Sequence, residues 1–207
     1  MKKLFILLIA IGFKFSYAQL CVGAAFGTFN NPGSDFKFRT LGPTLMLEYS
    51  NNEEVEYYLN ASFYKKTLDS YTSTVYDENG FMIGDASITE TYNYKYLQVG
   101  FKTSLAGDFS DTRFNFFAGG GGALGFVSNQ YKYDIPGYDK ATQKLNFVIY
   151  GFNFNTGMQW RLKPVTIELK GNLDFSLKPV VAGNEGGYLG AYTLTSLRLG
   201  AFIPITK

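Results

Sequence analysis

The sequence contains no histidine, one cysteine and one tryptophan in 207 residues. Without histidine the chain lacks the side chain that ordinarily titrates between pH 5 and 8, the usual general acid or base near neutrality. A lone cysteine, Cys21, forms no internal disulfide. It is not a lipidation site either, because the residue before it, Leu20, is not small; a buried free thiol is expected. Basic blocks are also missing, which argues against nucleic acid. After residue 18 no stretch is apolar over the ~20 residues that a membrane-crossing helix requires.

The one long apolar run lies at the N-terminus. Lys2 and Lys3 precede apolar residues 4–13, and Ser16-Tyr17-Ala18 follows. A charged start, a short apolar run and a small-x-small site describe a secretory signal. Residues 1–18 are expected to be cleaved off, leaving 19–207 as one domain. The alternative, a retained anchor, needs a longer run than this one. Lys2, Lys3 and Lys14 leave with the signal, which takes the 19 basic residues to 16 against 17 acidic ones.

Aromatic residues, by contrast, are abundant: 20 Phe and 16 Tyr. Read every second residue, 145–179 separates into two lists. One holds Val148, Tyr150, Phe152, Phe154, Met158 and Trp160, then Val165, Ile167, Leu169, Leu173 and Phe175. The other holds Gly151, Asn153, Asn155, Gln159 and Arg161, then Thr166, Glu168, Lys170, Asn172 and Asp174. Period two means strands, since successive side chains point to opposite faces. A long hairpin, apolar on one face and polar or glycine on the other, is the pattern of a strand pair with lipid outside and a polar lumen inside.

The same alternation recurs along the chain. Strands are expected at 20–29, 41–50, 55–65, 91–106, 113–128, 145–162, 165–177 and 188–203. Pro43 in the second is tolerable at a rim or bulge. Connections alternate long and short, with long ones at 30–39, 66–90, 129–144 and 178–187. The 66–90 stretch carries its own turn at Asp77-Glu78-Asn79-Gly80, so the barrel strands are expected to continue beyond the membrane as a hairpin. That turn lacks the regular oxygen spacing of a calcium loop. Gly119–Gly122 lacks the following helix with Lys-Ser/Thr that a phosphate-cradling loop requires; glycines in a strand mark bends or close packing. The fold class expected is all-β: an eight-stranded antiparallel up-and-down transmembrane β-barrel with both termini periplasmic. Only closure satisfies every backbone hydrogen bond in lipid.

The lysine-led signal ending SYAQ, the glycine-rich FFAGGGGALGF and the closing LTSLRLGAFIPI resemble the PorT-like outer membrane protein beta-barrel families of the Bacteroidota. The resemblance covers the mature chain as texture. It implies an outer-membrane location; some PorT relatives serve a secretion system, but no residue here carries that role over. Many such barrels end on an aromatic residue, whereas this chain ends Ile203-Pro204-Ile205-Thr206-Lys207.

Among functions, enzymes built on outer-membrane barrels use a histidine that this chain lacks. Eight strands enclose a lumen that side chains fill, so an open pore is disfavoured. A soluble lipocalin-like carrier would turn its apolar face inward. No cofactor is expected, and function is placed in the outer loops, as envelope maintenance, adhesion or an accessory role. Two groups of residues stand out. Glu48, Glu56, Lys102, Arg113, Arg161, Glu168, Lys170 and Arg198 fall on inward lists, and buried charge requires pairing; one connected network is expected. Glu48 and Glu56 flank the 51–54 turn and are expected to face each other. Lys37, Arg39, Lys65, Lys66, Lys132, Lys140 and Lys144, with Lys178, lie at the outer rim, where lipopolysaccharide phosphates could be met.

Overall fold

The computed structural model describes residues 19–31, 38–50, 54–77, 79–109, 113–138, 140–178 and 190–205. The expected signal segment, Lys37, most of the 51–54 turn, Glu78 and the 179–187 loop lie outside them. Nine strands appear among the described residues: β1 Gln19–Asn31, β2 Phe38–Ser50, β3 Val55–Thr67, β4 Tyr71–Tyr76, β5 Met82–Ala106, β6 Phe114–Asp134, β7 Ala141–Leu162, β8 Val165–Lys178 and β9 Gly190–Pro204. Each pairs antiparallel with its neighbours. β1 pairs with both β2 and β9, and β3 pairs with β5, which closes the ring.

The ring has eight staves because β3 and β4 share one. The β3–β5 ladder ends at Thr67↔Thr91, and the β4–β5 ladder resumes at Tyr71↔Ile88. Across the interruption the Leu68 amide donates to the Glu90 carbonyl at 2.9 Å, and Ser70 Oγ lies 2.7 Å from Thr89 Oγ1. The β2–β3 ladder stops at Thr44↔Ser62, beside Pro43. Proline has no amide hydrogen for a further rung.

Alternation decides which side chains face out. Phe26, Leu45, Val99, Phe152, Phe154 and Leu199 all point outward, with Phe152 71% exposed. Glu48, Asn60, Gln98, Lys102, Asn153 and Glu168 are buried inside. An apolar exterior of this extent has no place in water, and it inverts the lipocalin arrangement. Trp160 and Tyr49 lie toward the short-turn end of the belt and Tyr150 toward the other, with Phe152, Phe154, Leu169 and Leu173 between them on the outer face.

Strand length breaks the symmetry of the two ends. β1, β2 and β3 have 13 residues each, whereas β5, β6 and β7 have 25, 21 and 22. The stretch 129–144, expected as a loop, is a correction: rungs such as Gln130↔Lys144 and Lys132↔Thr142 continue β6 and β7 into it. Polar residues occupy both faces there, so hydrophobic alternation was silent. With β4 they form an overhang past the apolar belt, tipped by an Asp134–Lys140 ion pair of 2.7 Å. At the β4–β5 turn Asp77 Oδ1 accepts the Asn79 and Phe81 amides at 2.9 and 2.8 Å, and Gly80 takes φ +82°. That is the geometry of an Asx turn.

Candidate functional site

The lower lumen is organised around one ammonium. Lys102 stands inward on β5, directly opposite Glu56 of β3. Its Nζ lies 2.6 Å from Glu56 Oε1, 2.8 Å from Glu48 Oε1 on β2 and 2.6 Å from Glu168 Oε2 on β8. β6 and β7 separate β5 from β8 in the ring, so the lysine spans the lumen rather than a rung. Gln159 of β7 donates from Nε2 to Glu168 Oε2 at 3.1 Å and to Glu56 Oε1 at 3.3 Å. The ring of Phe117 lies 4.8 Å from the ammonium. The three carboxylates stand close enough to surround a cation, and the Lys102 ammonium takes that central place.

Higher in the lumen further charged groups alternate with amides and Tyr58, and above them the contacts become aromatic. Arg198 of β9 donates to Gln98 Oε1, and Gln98 Nε2 donates to Asp174 Oδ1 at 2.7 Å. Tyr58 Oη donates to Asn153 Oδ1 at 2.6 Å and accepts from Asn155 Nδ2 at 2.9 Å. Lys170, paired in register with Arg198, places its Nζ 3.6 Å from the Tyr58 ring centroid, a cation–π contact. Above this layer Phe29, Tyr64, Tyr92, Tyr94, Tyr96, Val127 and Ile149 form a buried cluster, with Phe29 and Tyr64 stacked at 4.4 Å. Small residues opposite make the room. A Cβ on Gly100 would lie 2.6 Å from Tyr58 Oη, and one on Gly125 2.8 Å from the Tyr96 ring.

The expected network thus divides. Lys102, Glu48, Glu56 and Glu168 come together, with Lys170 and Arg198 in the next layer. Glu48 and Glu56 do not face each other: Ser50 pairs with Glu56 and Glu48 with Tyr58. The pairing centre lies one residue further along the chain than expected, which moves each partner by two and keeps both glutamates inward. Arg113 is exposed just before β6 and outside the network. Arg161 is half-buried, and its guanidinium donates to the Phe109 carbonyl instead of an acid. Gln98, Gln159 and Asp174 sit on the same inward lists; weighing formal charge passed over the two amides, and confining the network to the short-turn half of the strands passed over Asp174.

At the outer rim Arg39, Lys65, Lys132, Lys140 and Lys144 are exposed and Lys66 is half-buried. Asp134 beside Lys140 raises its pKa. Lys95 belongs with this group and was missed by placing cations in loops; it is an exposed charge on the outward list of β5, opposite Phe63 and Phe126. Within the overhang Glu90 is buried. Burial first, then a hydrogen bond to Glu90, pushes Tyr131 up to about 12.

No protein-family model and no curated protein sequence matches the chain. Solved structures do resemble it. Neisserial surface protein A superimposes with a TM-score of 0.54 at 11% identity, over 90% of this chain and 97% of that one. OprG from Pseudomonas aeruginosa gives 0.51 at 9% identity, over 92% and 97%. Ail, the attachment invasion locus protein of Yersinia pestis, gives 0.50 at 11% identity, over 91% and 97%. The likeness is one of fold, that of small outer-membrane β-barrels. Together with the closed ring and its apolar belt, it places the chain in an outer membrane.

Proposed function

We propose that this protein is a sealed outer-membrane barrel with both termini periplasmic, acting through its overhang as an interaction or structural component of the envelope. The observation that carries the reading is the Lys102 bridge to Glu48, Glu56 and Glu168. A buried ammonium with three carboxylate partners drawn from both sides of the lumen braces it and leaves little room for bulk flow. The overhang strands and the rim lysines then offer the working surface. Contact with lipopolysaccharide phosphates suits Arg39, Lys65, Lys132 and Lys144, and adhesion or an accessory role in a secretion or transport complex suits the same surface. The narrower kinship with PorT-like barrels of the Bacteroidota rests on the signal, FFAGGGGALGF and LTSLRLGAFIPI. Signal cleavage after Ala18 predicts a mature chain beginning at Gln19, which intact mass measures. The reading itself is tested in planar bilayers: purified protein should show no stable porin-size steps, and reproducible large steps would overturn the sealed lumen.

A further inference from the structure

On the outer surface of β5, β6 and β7 four successive rows of outward residues stand in register. From the rim downward they are Asn93–Ser128–Asn146, Lys95–Phe126–Val148, Leu97–Leu124–Tyr150 and Val99–Gly122–Phe152. The lower two rows line an apolar groove of about 620 Å³. It exists because Gly122 faces out without a side chain: a Cβ there would meet nothing within 4 Å. The upper two rows line a second hollow of about 370 Å³ that carries Lys95. One continuous track therefore runs from an acyl-depth groove to a polar, cationic mouth.

Lysines predominate at the mouth. Lys65 sits opposite Asn93, Lys144 opposite Gln130 and Lys132 opposite Thr89, all exposed and on the same outer face. Among the described residues neither Lys95 nor any of these three forms an ion pair, whereas Lys140 at the tip does. The outward rows of β5, β6 and β7 contain no acid until Asp134 at the tip; Asp69, also exposed, stands to one side, in the break between β3 and β4 next to Ser70. A second copy of the chain seated here would bring lysines against lysines, which like-charge juxtaposition opposes. A zwitterionic lipid would bring its own ammonium. An anionic lipid satisfies both ends, and several lysines suit more than one phosphate.

We infer that this track is a binding site for one lipid carrying a bis-phosphorylated headgroup, its acyl chain lying over Gly122 and its phosphates at Lys95, Lys65 and Lys144. The inference rests on the membrane-barrel reading and names the lipid partner of the rim. Mutual fit of charge and depth gives a discrete site, unlike a diffuse annular contact.

The experiment is native mass spectrometry of the purified full chain equilibrated with equal amounts of diphosphoryl lipid A, phosphatidylglycerol and phosphatidylcholine. One diphosphoryl lipid A per barrel is the expected retained species. Lys95→Glu should lower its retention about tenfold, the size of a lost charge-assisted contact. Gly122→Leu should lower it too, with every charge intact, by filling the groove. Circular dichroism and heat-dependent gel migration establish that both variants fold. Equal retention of phosphatidylcholine, or retention unchanged in both variants, overturns the site. A dimer abolished by these variants assigns the face to self-association and also overturns it. Wild-type barrel that integrates into membranes yet holds no lipid sinks this inference alone; wild type recovered without detergent from the soluble fraction sinks the barrel reading beneath it.

Discussion

Lys102 Nζ of β5 and Glu168 Oε2 of β8 meet at 2.6 Å across the lumen, with two strands between them on the shorter arc of the ring. Backbone ladders join neighbours only, so this pair, with Gln98–Asp174 and Tyr96–Ser176 above it, ties two staves that share no ladder. Three carboxylates on one ammonium make the tie costly to cut, because the partners left behind stay buried.

Lys102→Met is expected to destabilise the barrel by roughly 3–5 kcal/mol, the cost of leaving buried charges unpaired. Urea unfolding in lipid vesicles measures it. Neutralising the partners in the same chain (E48Q, E56Q and E168Q with K102M) should recover much of the loss. A single variant as stable as wild type would show that the bridge contributes nothing.

Two glycines of β6 should respond oppositely. Gly125→Val drives a side chain into Ile149 and Tyr96, with Cβ alone 2.6 Å from Ile149 Cγ1, and overpacking of this kind costs roughly 1–3 kcal/mol. Gly122→Val meets open space on the lipid face and should fold like wild type. Equal effects in the melting curves would mean that the strand faces are assigned wrongly.

Trp160, the only tryptophan, is 47% exposed on the outer face near the β7–β8 turn. In bilayers its fluorescence should be quenched by lipids brominated near the headgroup and resist aqueous iodide. The reverse pattern would move it out of the interface where tryptophan belts form.

Cys21 is a free thiol buried inside the ring, with Val22 outside. A polar maleimide should leave Cys21 untouched in the folded barrel and modify it rapidly in urea. Fast labelling of the folded protein would invert the β1 register.

Tyr131 should ionise late, at about 12 against an ordinary value of 10. A raised folded pKa means that its contribution to stability is present below pH 10 and fades as pH climbs toward 12. Tyrosinate absorbance follows the titration, and Glu90→Gln should lower the value only in part, since burial is the larger cause. No change in E90Q would remove Glu90 from the contact.

The sequence alone determined the staves and their faces. Trp160, Phe152 and Leu173 read as outward and Asn153, Gln159 and Glu168 as inward because successive side chains of a regular pleated strand point to opposite faces. It also placed Lys102, Glu48 and Glu168 inside. What it left open was everything set by distance across the ring. The Ser50↔Glu56 register, the handover from β3 to β4 and the overhang of β5–β7 depend on which rung closes first, and polar stretches such as 129–144 carry no apolar period to reveal it. That Lys102 rather than Arg161 takes the carboxylates, and that Arg198 turns to Gln98, was decided by the closed barrel. Curvature alone brings residues from β2, β3, β5 and β8 within one hydrogen bond of a common point.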